Sequence, residues 1–480
     1  HIPALLAALV HLTGDPGLIR GAIRPSAALF GDPQGGIGPA QQAEVRAMAL
    51  DVRRAYRDGG CARPLPPPPE RVHELMSFMV ADTLPEPYLE FLQSELALEG
   101  EDPYGQPALD AIPRERRAGF RVLVIGAGMS GILAAIRLKE AGIPCVVIEK
   151  NPDVGGTWFE NTYPGCRVDS PNHTYSYPFE PNDWPQHFSD QATLLAYFRR
   201  VADKYAVRDM VRFGTEAVAA AFDESAGTWR VTVRPTDRAA GGAEEVLVVN
   251  AVISAVGQLN RPRLPDIPGR ETFRGVAFHS AQWNHAVALA GKRVAVIGTG
   301  ASAFQFVPIV AGEAAAVTVF QRTPPWMSPT PDYFNPIPAG KHWLLNHVPY
   351  YAKWYRLWMF WRTAEGLLGA VRRDPAWNDQ SRSVSARNDE LRRLLTAYMA
   401  NLCGGDAALL EKCIPDYPVG GKRMLRDDGR YLRSLRRDNV ALVTERIAAI
   451  EPEGVRTADG KRHEVDVLIY GTGFHADRFL

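Results

Sequence analysis

Apolar residues recur at helical spacing through Ile2–Leu12, Val45–Tyr56, Val72–Met79 and Tyr88–Leu98, which predicts a run of helices before residue 119. Pro- and Gly-rich turns separate them. The stretch Pro64–Pro69, broken only by Leu65, cannot be helical and predicts a stiff extended connector. At Gly119 the texture changes to short β-branched runs. Phe120–Ile125 predicts a strand, a glycine turn follows, Ile132–Ala141 is helix-like, and Cys145–Glu149 predicts a second strand, together a βαβ unit. Trp229–Val233 and Val246–Val256 predict strands within 211–256, and Arg293–Phe320 predicts a second βαβ unit. Residues 330–415 become helical and aromatic, and Tyr355, Trp358 and Trp361 lie roughly along one face, a stripe that predicts core or interface. Short strands return at Val440–Val443, Val455–Thr457 and Val465–Tyr470.

This alternation predicts an α/β fold: two dinucleotide-binding Rossmann-like domains, a helical insertion and an N-terminal helical extension. The length of 480 residues suits about three domains. The expected division is a helical extension over 1–118, a first domain over 119–262 resumed at 426–480, and a second over 263–425 with the insertion at about 330–415. The extension shows no catalytic cluster and is expected to be structural or to join two copies into a homodimer. Charge changes the picture by exclusion. With 54 basic and 54 acidic residues, the chain has no net charge to draw nucleic acid or an anionic membrane. No apolar run is long enough to span a bilayer. Five cysteines without CxxC spacing fit a reducing, cytoplasmic setting and argue against a disulfide scaffold or a metal site.

The candidate chemistry sits in the glycine turns. The first, Gly126-Ala-Gly128-Met-Ser130-Gly131, follows a strand and opens a helix. Gly126 permits the tight turn, Gly128 lets backbone approach a pyrophosphate, and Gly131 allows close helix–strand packing, with the helix N-terminus facing the phosphates. Glu149 ends the next strand, where an acid can bind the ribose hydroxyls of an ADP moiety; a solvated strand end is its plain alternative. The second turn, Gly298-Thr299-Gly300-Ala301-Ser302-Ala303, has Ala in third place, an accepted variant. Its second strand ends in Gln321-Arg322-Thr323 rather than an acid. Arg322 with the Thr323 hydroxyl suits a 2′-phosphate, so NADPH is expected over NADH unless Arg322 is a plain surface arginine. Two such units predict a flavoprotein with FAD in the first site and NADPH in the second. Gly155-Gly156-Thr157-Trp158 could let flavin or pyrophosphate lie against backbone. Val252–Gln258 and Val467–Phe474 each read as a strand leaving through glycine, either ordinary exits or crossovers between the two domains.

Between these units lies Phe273-Arg-Gly275-Val-Ala-Phe-His279-Ser-Ala-Gln-Trp283. With the paired turns, that spacing resembles the fingerprint of type I Baeyer–Villiger monooxygenases across about 119–480. Tyr163-Pro-Gly-Cys-Arg167-Val-Asp169 and Tyr417-Pro-Val-Gly-Gly-Lys422-Arg423 carry the resemblance further, and the helical extension makes the chain look most like the 4-hydroxyacetophenone branch, which acts on aryl ketones. The resemblance implies a ketone substrate oxygenated by O2 to an ester through a flavin C4a-peroxide, with NADPH as reductant. It places the catalytic arginine at Arg423 and a carboxylate beside the flavin at Asp169. Lys422 is implied to meet the NADPH 2′-phosphate with Arg322. Lys150, Tyr175, Val218 and Gln258 are grouped with the FAD residues, and Arg167 and Gln305 with the NADP residues. His279 is implied to act through domain motion rather than acid–base chemistry, and Trp283 through packing. Read bare, Lys422-Arg423 is a basic pair in a loop and Asp169 a turn opener.

The nearest rival is a flavin-containing monooxygenase that oxygenates soft N or S atoms. Disulfide reductases need a redox dithiol that Cys145 and Cys166 do not supply, and a dinucleotide-binding sensor would not need Arg423 and Asp169. The chain opens on His1 rather than Met and ends at Leu480, shortly after Gly471–Phe474, where the resembled family continues. A longer parent protein is expected.

Overall fold

The computed structural model describes residues 1–26, 34–62, 64–98, 100, 109, 111–237, 242–363 and 365–477. Among the described residues, four N-terminal helices of 11 to 20 residues come first: α1 (Ile2–Thr13), α2 (Pro39–Asp58), α3 (Pro69–Val80) and α4 (Glu86–Leu96). Proline at N1 or N2 starts each of them, where its missing N–H costs nothing. Every residue from Ile2 to His11 is buried, as expected of a helix that is apolar all round. Its partners are α2, α3 and a helix of the insertion, Tyr351–Thr363, whose Tyr355 and Trp358 are buried in the same cluster. The aromatic stripe is therefore core. Each fully buried Leu or Ile of α1 is worth about 1.5–3 kcal/mol, so α1 and the insertion hold each other in place. Arg356 adds an ion pair to Glu95 at 2.9 Å.

Strands β1 (Val122–Ile125), β2 (Cys145–Ile148) and β3 (Val211–Arg212) are parallel, with the helix Met129–Glu140 crossing between β1 and β2. Strands β4 (Thr215–Asp223), β5 (Thr228–Pro235) and β6 (Glu245–Val249) form an antiparallel sheet, and β7 (Ala251–Ser254) returns to pair with β1. The single strand expected over Val246–Val256 is thus two strands in different sheets. The break falls at Asn250, which exchanges hydrogen bonds with Arg121 at the start of β1.

The second parallel sheet runs in the order β11-β10-β9-β15-β8. Its members are β8 (Val276–His279), β9 (Arg293–Ile297), β10 (Ala316–Phe320), β11 (Val440–Val443) and, after the small antiparallel sheet of β12 (Ile447–Glu451), β13 (Gly454–Thr457) and β14 (Arg462–Glu464), β15 (Val467–Tyr470). The resumption of the first domain at 426–480 does not hold for these strands. Strand β11 pairs with β10, and β15 lies between β9 and β8, because the all-apolar β15 is buried on both faces of the second sheet. Residues 478–480 lie outside the described residues. Helices Ala339–His347, Tyr351–Thr363, Ala386–Cys403 and Ala407–Cys413 make the insertion. Among the described residues, no helix is long and apolar enough to cross a membrane.

Candidate active site

The first glycine turn has the form its sequence demands. Gly126 has φ of 106°, and a Cβ there would sit 2.7 Å from the Ala255 carbonyl oxygen. A Cβ on Gly131 would lie 1.8 Å from the Gly126 carbonyl oxygen, so no larger residue fits. Gly128 faces Gly156 across the cradle: a Cβ on Gly156 would meet the Gly128 Cα at 2.9 Å. Two backbones close enough to leave room only for hydrogen, at a helix N-terminus, suit a pyrophosphate. Ser130 is exposed in the first turn of that helix. Glu149 is buried, and its carboxylate accepts the Ala127 N–H at 2.7 Å and the Asn151 N–H at 2.9 Å. Burial pushes this carboxyl up while those amides pull it down. It ties the turn to the strand end and, with the Asn151 carboxamide also donating to it at 2.8 Å, keeps one acceptor position for a ribose hydroxyl. Lys150 pairs with Glu160 at 2.8 Å. Gln258 is exposed beyond β7, and Val218, also exposed, is the extra residue of a bulge in β4.

The second turn repeats the backbone. Gly298 has φ of 106°, and its Cβ would lie 2.4 Å from the Gly471 carbonyl oxygen. Ala303 is fully buried. Thr299 bonds the Thr323 carbonyl at 3.4 Å, joining the turn to the end of β10, where Arg322 is exposed. Lys422 sits 4.7 Å from the centre of the Tyr417 ring, whose hydroxyl bonds the Pro324 carbonyl at 3.0 Å. That chain of contacts puts the loop bearing Lys422 beside the strand end bearing Arg322. Ala301 and Ser302 open the helix Ala301–Glu313.

Between the turns, side chains from the loop after the first βαβ unit interlock with the helix that follows the second turn. The Gln305 carboxamide accepts from the Tyr163 hydroxyl at 3.0 Å and the Arg167 N–H at 3.3 Å. It donates to the Arg167 carbonyl at 2.9 Å and to the Tyr333 hydroxyl at 2.9 Å. Its capacity is filled within the protein, so it locks the two domains. Arg167 stacks on Phe334, donates to Gln186 at 2.8 Å, and keeps a buried Nε without a partner among the described residues; burial lowers its pKa. Arg423 reaches across to donate to Asp169, joining two residues 254 positions apart. Asp169 is largely buried and Arg423 largely open. Beside them the Trp158 indole N–H donates to the Tyr175 hydroxyl at 3.1 Å, so Thr157-Trp158, Tyr175, Asp169 and Arg423 converge.

The 273–283 motif is built into the domain junction. His279 accepts the Ala281 N–H on Nδ1 at 3.1 Å, so Nε2 carries the proton that it donates to the Gly473 carbonyl at 3.0 Å. Burial holds this ring below the usual histidine range, opposed by that carbonyl. His279 is a neutral tie to Gly471–Phe474, and Phe474 itself bridges to Pro262, bringing both glycine exits side by side. Trp283 packs edge-on against Phe278. A Cβ on Gly275 would lie 2.4 Å from the Asp466 carbonyl oxygen and 2.6 Å from the Phe273 ring.

Sequence reasoning missed the residues that connect this centre to a chamber. A cavity of 1560 Å³ opens between α1, α2, the insertion and the 328–338 loop, and reaches Pro171 and Arg426 beside the Asp169–Arg423 pair. Arg426 feels Asp169, Tyr333 and Arg423, and burial lowers its pKa. The only signal for it was its place three positions after Arg423 on one loop.

Residues 119–330 match the model of the flavin-binding monooxygenase-like family. An uncharacterized monooxygenase, y4iD of Sinorhizobium fredii, is 37% identical over all of this chain and 71% of its own length. A Baeyer–Villiger monooxygenase of Streptomyces coelicolor is 39% identical over 74% of this chain; the match spans 64% of that relative. Among solved structures, OTEMO in complex with FAD and NADP matches with a TM-score of 0.62 and 32% identity, over 74% of this chain and 72% of that one.

Proposed function

This chain belongs to the flavin-binding monooxygenase-like family, and from that premise we propose that it is a Baeyer–Villiger monooxygenase that uses NADPH and O2 to convert a ketone, specifically an aryl ketone such as 4-hydroxyacetophenone, into an ester. The cofactors are FAD and NADP. The first turn, with Gly126, Gly128, Gly131 and Gly156, fits FAD; the second, with Gly298, Gly300 and the exposed Arg322, fits NADPH. When bound, FAD supplies the site where O2 is activated and NADPH supplies the hydride.

The observation that carries the reading is the Asp169–Arg423 pair beside the Trp158–Tyr175 contact. An arginine remains protonated and offers several donors, so Arg423 can stabilise an oxyanion as a nucleophilic oxygen adds to a carbonyl. Asp169 holds the guanidinium in place and supplies a carboxylate for proton transfer nearby. A fixed cation favours an anionic oxygen nucleophile, hence a ketone, over electrophilic transfer to N or S. Arg322 and Lys422 select the 2′-phosphate. The aryl preference is supported by the aromatic wall of the chamber, including Trp343, Tyr355 and Trp358. Pairing of two copies through the N-terminal segment would use the outer face of α2, since α1 is buried within the chain.

The test is Arg423→Ala. NADPH should still reduce the flavin, while ester formation falls by about 10²-fold or more. Ester formation at a near-normal rate would overturn the role.

A further inference from the structure

The chamber is strongly one-sided in charge. Among the described residues that line it are six arginines and Lys341, against a single carboxylate, Asp332. Arg57 is answered by Asp58 at 2.7 Å, and Arg53 stacks on Trp343. Lys341 and Arg426 are different. The Lys341 ammonium donates to the Tyr355 hydroxyl at 2.9 Å and lies 4.3 Å from the centre of that ring; among the described residues no carboxylate is in ion-pair contact with it, although Asp332 is near enough to act on its charge. Arg426 likewise forms no ion pair among the described residues, although it sits close enough to Asp169 to feel its charge. Burial draws the Lys341 pKa down to about 8. Cations desolvated at a cavity wall with no carboxylate in hydrogen-bond contact are costly, and a bound anion offsets that cost. Much of the remaining wall is apolar, with Leu5 and Leu9 of α1 and the Trp343 and Trp358 rings. Its volume exceeds the usual range of about 300–1,000 Å³ for small-ligand pockets, so it has room for more than a simple acetophenone.

We infer that the chamber takes a ketone carrying a carboxylate on an extended apolar body, with the carbonyl at the Arg423 end and the carboxylate at Lys341. This names the substrate class within the Baeyer–Villiger reading and rests on it. Arg426, at the Arg423 end, is a positioning residue that keeps that end of the chamber cationic.

The experiment compares benzoylalkanoic acids of increasing chain length with their methyl esters as substrates of the FAD-loaded enzyme. At the fitting length the acid should be preferred in kcat/KM by about tenfold or more. That preference should collapse in Lys341→Met and persist in Lys341→Arg, with flavin content and melting temperature confirming that both variants fold. Quenching of tryptophan fluorescence by the same acids, through Trp343 and Trp358, reads binding without turnover. Equal kcat/KM for acid and ester at every length, or a preference untouched by Lys341→Met, would overturn the inference while leaving ketone oxygenation intact. Lys341-dependent quenching with no oxygenation of any ketone would support the chamber assignment and sink the Baeyer–Villiger reading instead.

Discussion

At Gly126 and at Gly298 the backbone takes the same φ of 106°, and each amide donates to the last residue of the next parallel strand, Ile148 or Phe320. The following positions also correspond: Glu149 and Gln321 are both buried, and each donates its N–H to the third strand, at Arg212 and Val443. The two turns then part. In the first, the third small residue faces the carbonyl of Gly126 itself, and only glycine fits. In the second, that residue is Ala303, and the smallness has moved to Gly471 across the sheet, where a Cβ would lie 3.1 Å from the Ala303 Cβ. Glu149 folds back onto its own turn, whereas Gln321 turns away to the Lys412 carbonyl at 2.7 Å and leaves the strand end to exposed Arg322. One backbone thus serves two ligands, and the difference lies in which charge stands at the strand end.

Three substitutions probe that contrast. Gly131→Ala should have the largest effect: the new methyl overlaps backbone, so the purified protein should lack FAD, read as loss of the yellow absorbance. Full flavin content would show that the turn has slack the structure denies. Arg322→Ala comes next. The KM for NADPH should rise by about 10- to 100-fold, consistent with loss of a charge-assisted contact of roughly 1.5–3 kcal/mol, with FAD retained. An unchanged preference for NADPH over NADH would remove Arg322 from the phosphate site. Ala303→Gly should be mildest, costing about 0.5–1 kcal/mol of stability from the helix glycine, seen as a small drop in melting temperature. A loss as severe as that of Gly131→Ala would mean the two third positions are not different in kind.

Much of this was legible in the sequence because it is local. Each glycine turn, its flanking strand and helix, and the acid or base at the next strand end fall within one βαβ unit, where spacing alone fixes neighbours. The Val-rich run 246–256 misled because β propensity does not say which sheet a strand joins; Asn250 decides that through Arg121. The return of the chain at Val467 was misplaced for the same reason, since pairing with β8 and β9 is a long-range choice. Asp169 and Arg423 were matched by resemblance, but their contact, the saturation of Gln305 and the packing of α1 on the insertion come only from tertiary structure. Arg426 and Lys341 carried no motif at all.

The central claim is that this chain inserts oxygen beside a ketone carbonyl. It is tested most directly by turning over an aryl ketone with NADPH under ¹⁸O2 and analysing the product by mass spectrometry. The expected product is an ester carrying one labelled oxygen, formed in step with NADPH consumption. NADPH consumption that yields only labelled hydrogen peroxide, with the ketone recovered unchanged, would contradict it.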